Sequence, residues 1–385
     1  MPPEMTQLQV DIVRMSDLSA QDVSRWHAIQ VAHPAFESPL LSPDFALAVA
    51  RERDDVRVAV YRRDGVAVGF LAHHRRPGGF GRPIGSPFAD YHALVSDADL
   101  GISGAEAIRL AGLKAFRHNG LVDPHGLFAG TGEVQQTYGI ELNDTPEAFL
   151  ETVRAASPKK FKNYRRLQNR LAEQGALSIG PDHSHAAYDQ VMDWKSAQFA
   201  RTGVQDVLKP AWVQRMMQSL FETTEGRMTG LLLTLYAGDV LVGGHFGVMA
   251  AGVFHPWIAS TNPELAALSP GQAFLDQAIR AMPALGIRVY DLGPGHDHYK
   301  KPFASTEREV GVGPTVVDGA VGVLPRAKEG VWQVGGLDRV GAVGRIRRRL
   351  DHIAAVDPSA GGRARGLLEA ARSMRKRFGG PEVQA

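Results

Sequence analysis

Apolar and polar residues alternate along this chain in short blocks, each closed by glycine, proline or Asp-Gly. "SAQDVSRWHAIQVA" from Ser19 repeats its apolar positions at helical spacing. "SPDFALAVARERD" opens with a capping serine, Ser42, and puts Pro43 at the first helical position. "VRVAVYRRDGVAVGFLAHHRR" reads as two alternating strands around Asp64-Gly65, a hairpin signal. A Gly/Pro-rich loop follows, "PGGFGRPIGSPFADYHAL". "SGAEAIRLAGLKAFRHNG" is expected to form one amphipathic helix ending at Asn119-Gly120, and "TYGIELN" a strand.

From Thr145 a second unit begins. "TPEAFLETVR" predicts a helix, and "SPKKFKNYRRLQNRLAEQGALSIG" a strongly basic helix with a strand behind it. "AAYDQVMDWKSAQFARTG" and "PAWVQRMMQSLFETTEG" predict two more helices. Strands are expected in "MTGLLLTLYAG", "VLVGGHFGVMA" and "GVFHPWIAST". The loop "NPELAALSPGQ" leads into a helix, "GQAFLDQAIRAMPALG", and then to the strand "IRVYDLG". Both units run helices, a strand hairpin, a further helix and a closing strand, an order that suggests internal duplication. Antiparallel strands with helices on their faces imply an α+β layered architecture. No strand–GxGxxG–helix unit occurs, which argues against a dinucleotide enzyme.

Composition narrows the picture. A chain of 385 residues suits two domains, and 44% apolar with 22% charged residues is globular. Cysteine is absent, so thiol nucleophiles, thiolate metal sites and disulfides are excluded. The run from Leu231 is interrupted by Asp239 and His245 and by turn residues, so it predicts buried strands and not a membrane helix. The first residues hold no apolar signal core, and a cytoplasmic protein is expected. The net charge of +2 conceals a basic tail: from Arg326 onward, thirteen basic residues stand against six acidic ones. Such a tail suits an anionic partner. Three segments are therefore expected, at 1–144, 145–325 and 326–385.

The chemistry concentrates in "DLGPGHDHYKKPF", residues 291–303. As a phosphate loop it fails, because Lys301-Pro302 stands where a helix N-terminus is needed. Asp291, His296, Asp297 and His298 form a possible metal set, but His-x-His in a glycine loop is more often solvated or hydrogen-bonded structure; no metal is expected. Asp291 suits either of two roles at the strand end, capping the glycine turn or orienting a neighbour and accepting a proton. His298 is a proton acceptor by its ordinary pKa. Tyr299 suits either donation to a carbonyl or packing.

The pattern Y-D-L-G-x-G-x-x-x-Y-K-x-x-F resembles the end of the acyltransferase domain of CelD-type (BioF2-like) polysaccharide biosynthesis proteins, members of the GNAT superfamily related to Fem-type transferases. "SPKKFKNYRRLQNRLAEQGAL", "DWKSAQFARTG" and "LSPGQAFLDQAI" are similar to other parts of that family. The resemblance spans roughly residues 20–325 and implies two tandem GNAT-like domains followed by a basic helical tail. It implies a lysine, Lys300, that stabilises the oxyanion of a thioester aminolysis, with Asp291, Tyr299 and His298 beside it. It places the acyl donor on the strand carrying Trp257 and on the loop with Ser269, Gly271 and Gln272. The superfamily's Gln/Arg-x-x-Gly-x-Gly/Ala signature is missing, which argues against ordinary coenzyme A binding, so an acyl-carrier thioester stands beside acyl-coenzyme A as the expected donor. Trp194, Lys195 and Gln198, sharing one helical stripe, suit an acceptor sugar, although core packing is the commoner role of such a tryptophan.

The implied function is N-acylation of an amino sugar or lipid-linked glycan in exopolysaccharide (holdfast, adhesin or cellulose-type) biosynthesis. The alternatives are a Fem-type aminoacyl transferase or a non-catalytic regulator. In the tail, Arg345-x-x-x-Arg349 with Asp357-x-Ser359 is similar to the cyclic di-GMP motifs of PilZ domains. Contact of that tail with an anionic membrane surface is the favoured alternative. No DNA partner is expected.

Overall fold

The computed structural model describes residues 8–130, 132–202, 205–295, 300–319 and 322. The N-terminal half runs β1 (Gln9–Val13), α1 (Ala20–Ala32), α2 (Pro43–Glu52), β2 (Val56–Arg63), β3 (Val66–Arg76), β4 (Phe80–Pro83), β5 (Val95–Ser96), α3 (Gly104–Leu110), β6 (Ala115–Leu121) and β7 (Glu133–Glu141). The C-terminal half runs α4 (Pro146–Ala156), α5 (Pro158–Ala172), β8 (Leu177–Pro181), α6 (His185–Thr202), α7 (Ala211–Phe221), β9 (Met228–Ala237), β10 (Val240–Ala250), β11 (Val253–Thr261), α8 (Pro270–Ala281), β12 (Val289–Pro294) and β13 (Thr306–Val316). Position 144/145 falls between β7 and α4.

Local chemistry sets the element ends. Ser19 and Ser42 each accept the amide of the residue three positions on, capping α1 and α2. Asp64 and Gly65 both have positive φ, the backbone of a tight two-residue hairpin between β2 and β3. The apolar run from Leu231 lies within β9–β11. The single helix expected over 103–120 is instead α3 followed by β6. Gly112, at φ +70°, ends the helical turn, and the Lys114 amide then donates to the Gly79 carbonyl. Beyond it Phe116 and His118 turn inward while Arg117 is half-buried and Asn119 exposed, a strand period.

Among the described residues the strands form one mixed sheet, ordered β1-β2-β3-β4-β6-β13-β7-β12-β11-β10-β9-β8, with β5 added on β3. The centre of that order is an exchange. β7, the last strand of the first half, pairs with β12, while β13, the last strand of the second, inserts between β6 and β7. Each half also contains one short parallel pair, β4 with β6 and β11 with β12, two positions long in each case.

Helices cover both faces. One core is common to the two halves, with Trp26, Phe45 and Phe70 from the first and Met216, Phe221 and Phe246 from the second. A second core lies under α4, α5 and α8, where Phe161, Phe254, Phe274, Tyr290 and Phe303 are buried. A third lies between α3 and the first half's strands, around Ile108, Phe116 and Phe128.

Candidate active site

The register of β11 and β12 creates the opening. They pair only at Val253–Val289 and Phe254–Tyr290, and that pairing stops two residues before Pro256. Proline lacks the amide a ladder needs. Beyond this point lies a groove of about 380 Å³, and it gathers residues from four elements. α6 contributes Trp194, Gln198 and Arg201, β10 His245, β11 Ala259 to Thr261, and the start of α8 Ser269, Gly271 and Gln272. Of the residues selected for the donor and for the acceptor, Ser269, Gly271, Gln272, Trp194 and Gln198 therefore line one groove, whereas Lys195 and Trp257 do not. Trp257 packs instead on Phe45 and Phe88 of the N-terminal half, with ring centroids 5.8 and 6.3 Å away. Its indole N–H is buried and finds no acceptor among the described residues.

Two lysines act on the groove's His245 from nearby. The Lys195 ammonium donates to the Ala259 carbonyl at 3.2 Å and lies 5.3 Å from the Phe199 ring centre. Lys300 is half-buried, and its ammonium donates to the Pro294 carbonyl at 3.4 Å. His245 stacks on Phe274, with centroids 4.0 Å apart, and meets the Tyr290 hydroxyl at 2.6 Å. Burial, helped by the charges of Lys195 and Lys300, lowers the His245 pKa to about 3, so the ring is neutral near pH 7. The start of α8 adds the positive end of a helix dipole: Ser269 is left-handed at φ +52°, and Pro270 opens the helix.

On the opposite face of β12 sits a charged network that sequence reasoning missed. Asp291 points away from Tyr290 by strand alternation. Its Oδ1 accepts the Tyr91 hydroxyl and the Gly293 amide, both at 2.8 Å, and its Oδ2 lies 3.2 Å from His255 Nδ1. His255 Nε2 donates to Asp90 Oδ2 at 3.1 Å. Burial opposes the charge on His255, but Asp291 and Asp90 outweigh it and raise the pKa to about 9. Burial likewise pushes Asp291 up, and the His255 charge with the Gly293 and Tyr91 hydrogen bonds overrides it, leaving a net lowering. Asp291 thus caps the glycine turn, as one of its two expected roles had it, and also carries a buried ion pair. The sequence signals were faint: a histidine between Phe254 and Pro256 on a buried strand, and Asp90-Tyr91 inside a glycine-rich loop.

His298 and Tyr299 lie outside the described residues, as do Arg345, Arg349, Asp357 and Ser359 of the tail. Among the described residues no group of three or more metal-ligating side chains occurs, and no helix is long and apolar enough to cross a membrane.

Residues 158–301 match the family described as an acetyltransferase (GNAT) domain. No curated protein sequence matches the chain. In fold the chain is similar to the crystal structure of FemX, with a TM-score of 0.50 at 10% identity, covering 84% of this chain and 99% of that one. A putative lysylphosphatidylglycerol synthetase C-terminal domain from Agrobacterium fabrum matches at TM-score 0.46 and 16% identity, over 84% and 99% of the two chains. A tandem GNAT protein from the clavulanic acid biosynthesis pathway matches at TM-score 0.43 and 11% identity, over 82% and 100%. Within the second half, residues 158–301 are thus similar to a GNAT acetyltransferase domain, set in an α+β chain of two similarly ordered halves.

Proposed function

We propose that the chain is an N-acyltransferase that moves an acyl group from a thioester to the amine of a sugar intermediate in exopolysaccharide biosynthesis. The supporting observation is one groove lined by donor-type and acceptor-type residues around a neutral His245, which is close enough to Lys195 and Lys300 to feel both charges. In thioester aminolysis the amine nitrogen attacks the carbonyl carbon, the carbonyl oxygen becomes anionic, and the carbon–sulfur bond then breaks to release a thiol. The ammonium proton lost by the amine passes to a base or to water. Lys300 serves the oxyanion, because a half-buried cation held by the Pro294 carbonyl acts at low dielectric without reorganising. The start of α8 with Ser269, Gly271 and Gln272 serves the donor's phosphates, whether the carrier is coenzyme A or an acyl-carrier protein. Trp194 offers an apolar face to a sugar ring, and Gln198 hydrogen bonds to its hydroxyls. Lys300→Ala is expected to lower kcat by about a hundred- to a thousandfold while acyl-coenzyme A still binds. Turnover at the wild-type rate would remove Lys300 from the chemistry.

The likeness in fold to FemX favours a second reading, Fem-type aminoacyl transfer to a cell-wall or lipid-type acceptor. That reading requires charged tRNA, so RNase treatment abolishes its activity and leaves direct thioester aminolysis intact. Regulation through the basic tail by cyclic di-GMP or an anionic lipid surface is tested by calorimetry on chains with and without residues 326–385.

A further inference from the structure

We propose that His255 is a positioning residue for acyl transfer, and that Asp90 and Tyr91 of the N-terminal half complete the clamp through which it acts. The proposal rests on the reading of Lys300 as the oxyanion donor. It follows the chain from β12 to that lysine. Asp291 fixes the turn after it by accepting the Gly293 amide at 2.8 Å. Gly293 is left-handed at φ +68°, and a side chain there would place its Cβ 3.0 Å from Asp90 Oδ2. The next carbonyl, Pro294, receives the Lys300 ammonium at 3.4 Å. The ammonium therefore takes its position from a carbonyl whose place is set by the Asp291–Gly293 turn.

That turn is held from both halves of the molecule. Tyr91, on the loop before β5, donates to Asp291 Oδ1 at 2.8 Å. Asp90, its neighbour, accepts from His255 Nε2, while the other ring nitrogen of His255 faces Asp291 Oδ2 at 3.2 Å. The charged and titratable groups facing His255 are thus Asp90 from the loop, Asp291 from β12 and the Tyr91 phenol, whose ring centre lies 5.5 Å away. An imidazolium between two carboxylates fixes both, whereas a neutral ring leaves a buried and a part-buried anion across the turn with no cation between them. The loop is itself anchored: a Cβ at Gly120 would lie 1.7 Å from the Asp90 carbonyl oxygen, so β6 abuts the loop backbone directly.

The test compares wild type with His255→Gln, Asp90→Asn and Tyr91→Phe, using acetyl-coenzyme A as donor and glucosamine as acceptor, across pH. Losing the positioning of Lys300 is expected to lower kcat about a hundredfold in His255→Gln. Donor affinity, measured by calorimetry, stays at the wild-type value because the donor groove is on the other face. Wild-type turnover declines as pH rises through about 9, where His255 loses its proton. Removing the Asp90 charge weakens the hold on that proton, so in Asp90→Asn the decline moves to lower pH. A merely structural role would not move it. If His255→Gln does not fold, Asp90→Asn carries the test, since its carboxylate is 30% exposed. Wild-type kcat in His255→Gln, or an unmoved alkaline limb in Asp90→Asn, overturns the proposal. A wild-type chain that binds acetyl-coenzyme A and acylates nothing overturns the function reading first, and the positioning role with it.

Discussion

His255 illustrates how one residue fixes the pH range of the fold. Its pKa is about 9 in the folded chain against 6.5 for the free side chain, so the fold prefers the protonated ring. That contribution is complete below pH 6.5 and disappears as pH rises through 9. Asp291 works at the other end: its pKa is lowered from 3.8, so its contribution is present above that value and disappears on acidification. Five other histidines, among the described residues, are buried with lowered pKa values. Burial lowers His73 to about 4 and His92 and His245 to about 3, and it lowers His74 and His118 as well. Below pH 6.5 the unfolded chain binds protons that these rings refuse, so stability falls with falling pH there. The melting temperature is expected to peak near pH 6.5 and to decline towards pH 9, and in His255→Gln that alkaline decline flattens. A melting temperature that keeps rising beyond pH 9 would contradict the charge assigned to His255. At this scale Lys300 and Asp291 were legible because they stand in one short motif. His255 and Asp90 were not, because their partnership joins positions 165 residues apart.

Elements that form from local chemistry alone were legible. The Asp64-Gly65 hairpin, the serine-capped α1 and α2, and the amphipathic α5 to α8 each follow from neighbours in sequence. The misassigned β6 shows what local pattern omits. Its residues pass for the continuation of a helix until Gly112 turns the chain and β4 and β13 supply edges for pairing. β13 was missed for a related reason: "TEREVGVGPTV" is polar and glycine-rich, and only its place between β6 and β7 makes it a strand. Gly120 on β6 marks where this tertiary constraint is sharpest, with φ +87° and the Asp90 carbonyl in the space of its absent Cβ. Gly120→Ala is expected to cost more than about 1 kcal/mol of unfolding free energy by urea titration, since alanine fits neither the backbone angle nor the gap. It also displaces the Asp90 loop, so kcat falls in the same variant. A fully active, equally stable Gly120→Ala chain would show that β6 does not brace the loop.

Duplication in sequence suggests two independent bodies, but the packing argues for one cooperative molecule. Each half places its last strand beside the other half: β13 pairs with β6 across six positions, and β7 with β12 across five. The large core draws on both, so removing either half bares Phe45, Phe88 and Trp26 or Met216, Phe221 and Phe246 to water. Each such side chain loses about 1.5–3 kcal/mol of burial, which exceeds what a lone half can forgo given the usual net stability of about 5–15 kcal/mol. The unpaired edges of β6 and β7 would add templates for aggregation. The full chain is therefore expected to melt in a single calorimetric transition, and a chain beginning at Thr145 to be insoluble or unfolded when expressed alone. Two resolved transitions, or a soluble C-terminal half with acyltransferase activity, would mean that the exchanged strands are dispensable. The same cooperativity bears on function. The clamp on the Lys300 segment is assembled from residues 90, 91, 255 and 291, so the turn that leads to Lys300 is held from both sides only when both halves have folded onto one sheet.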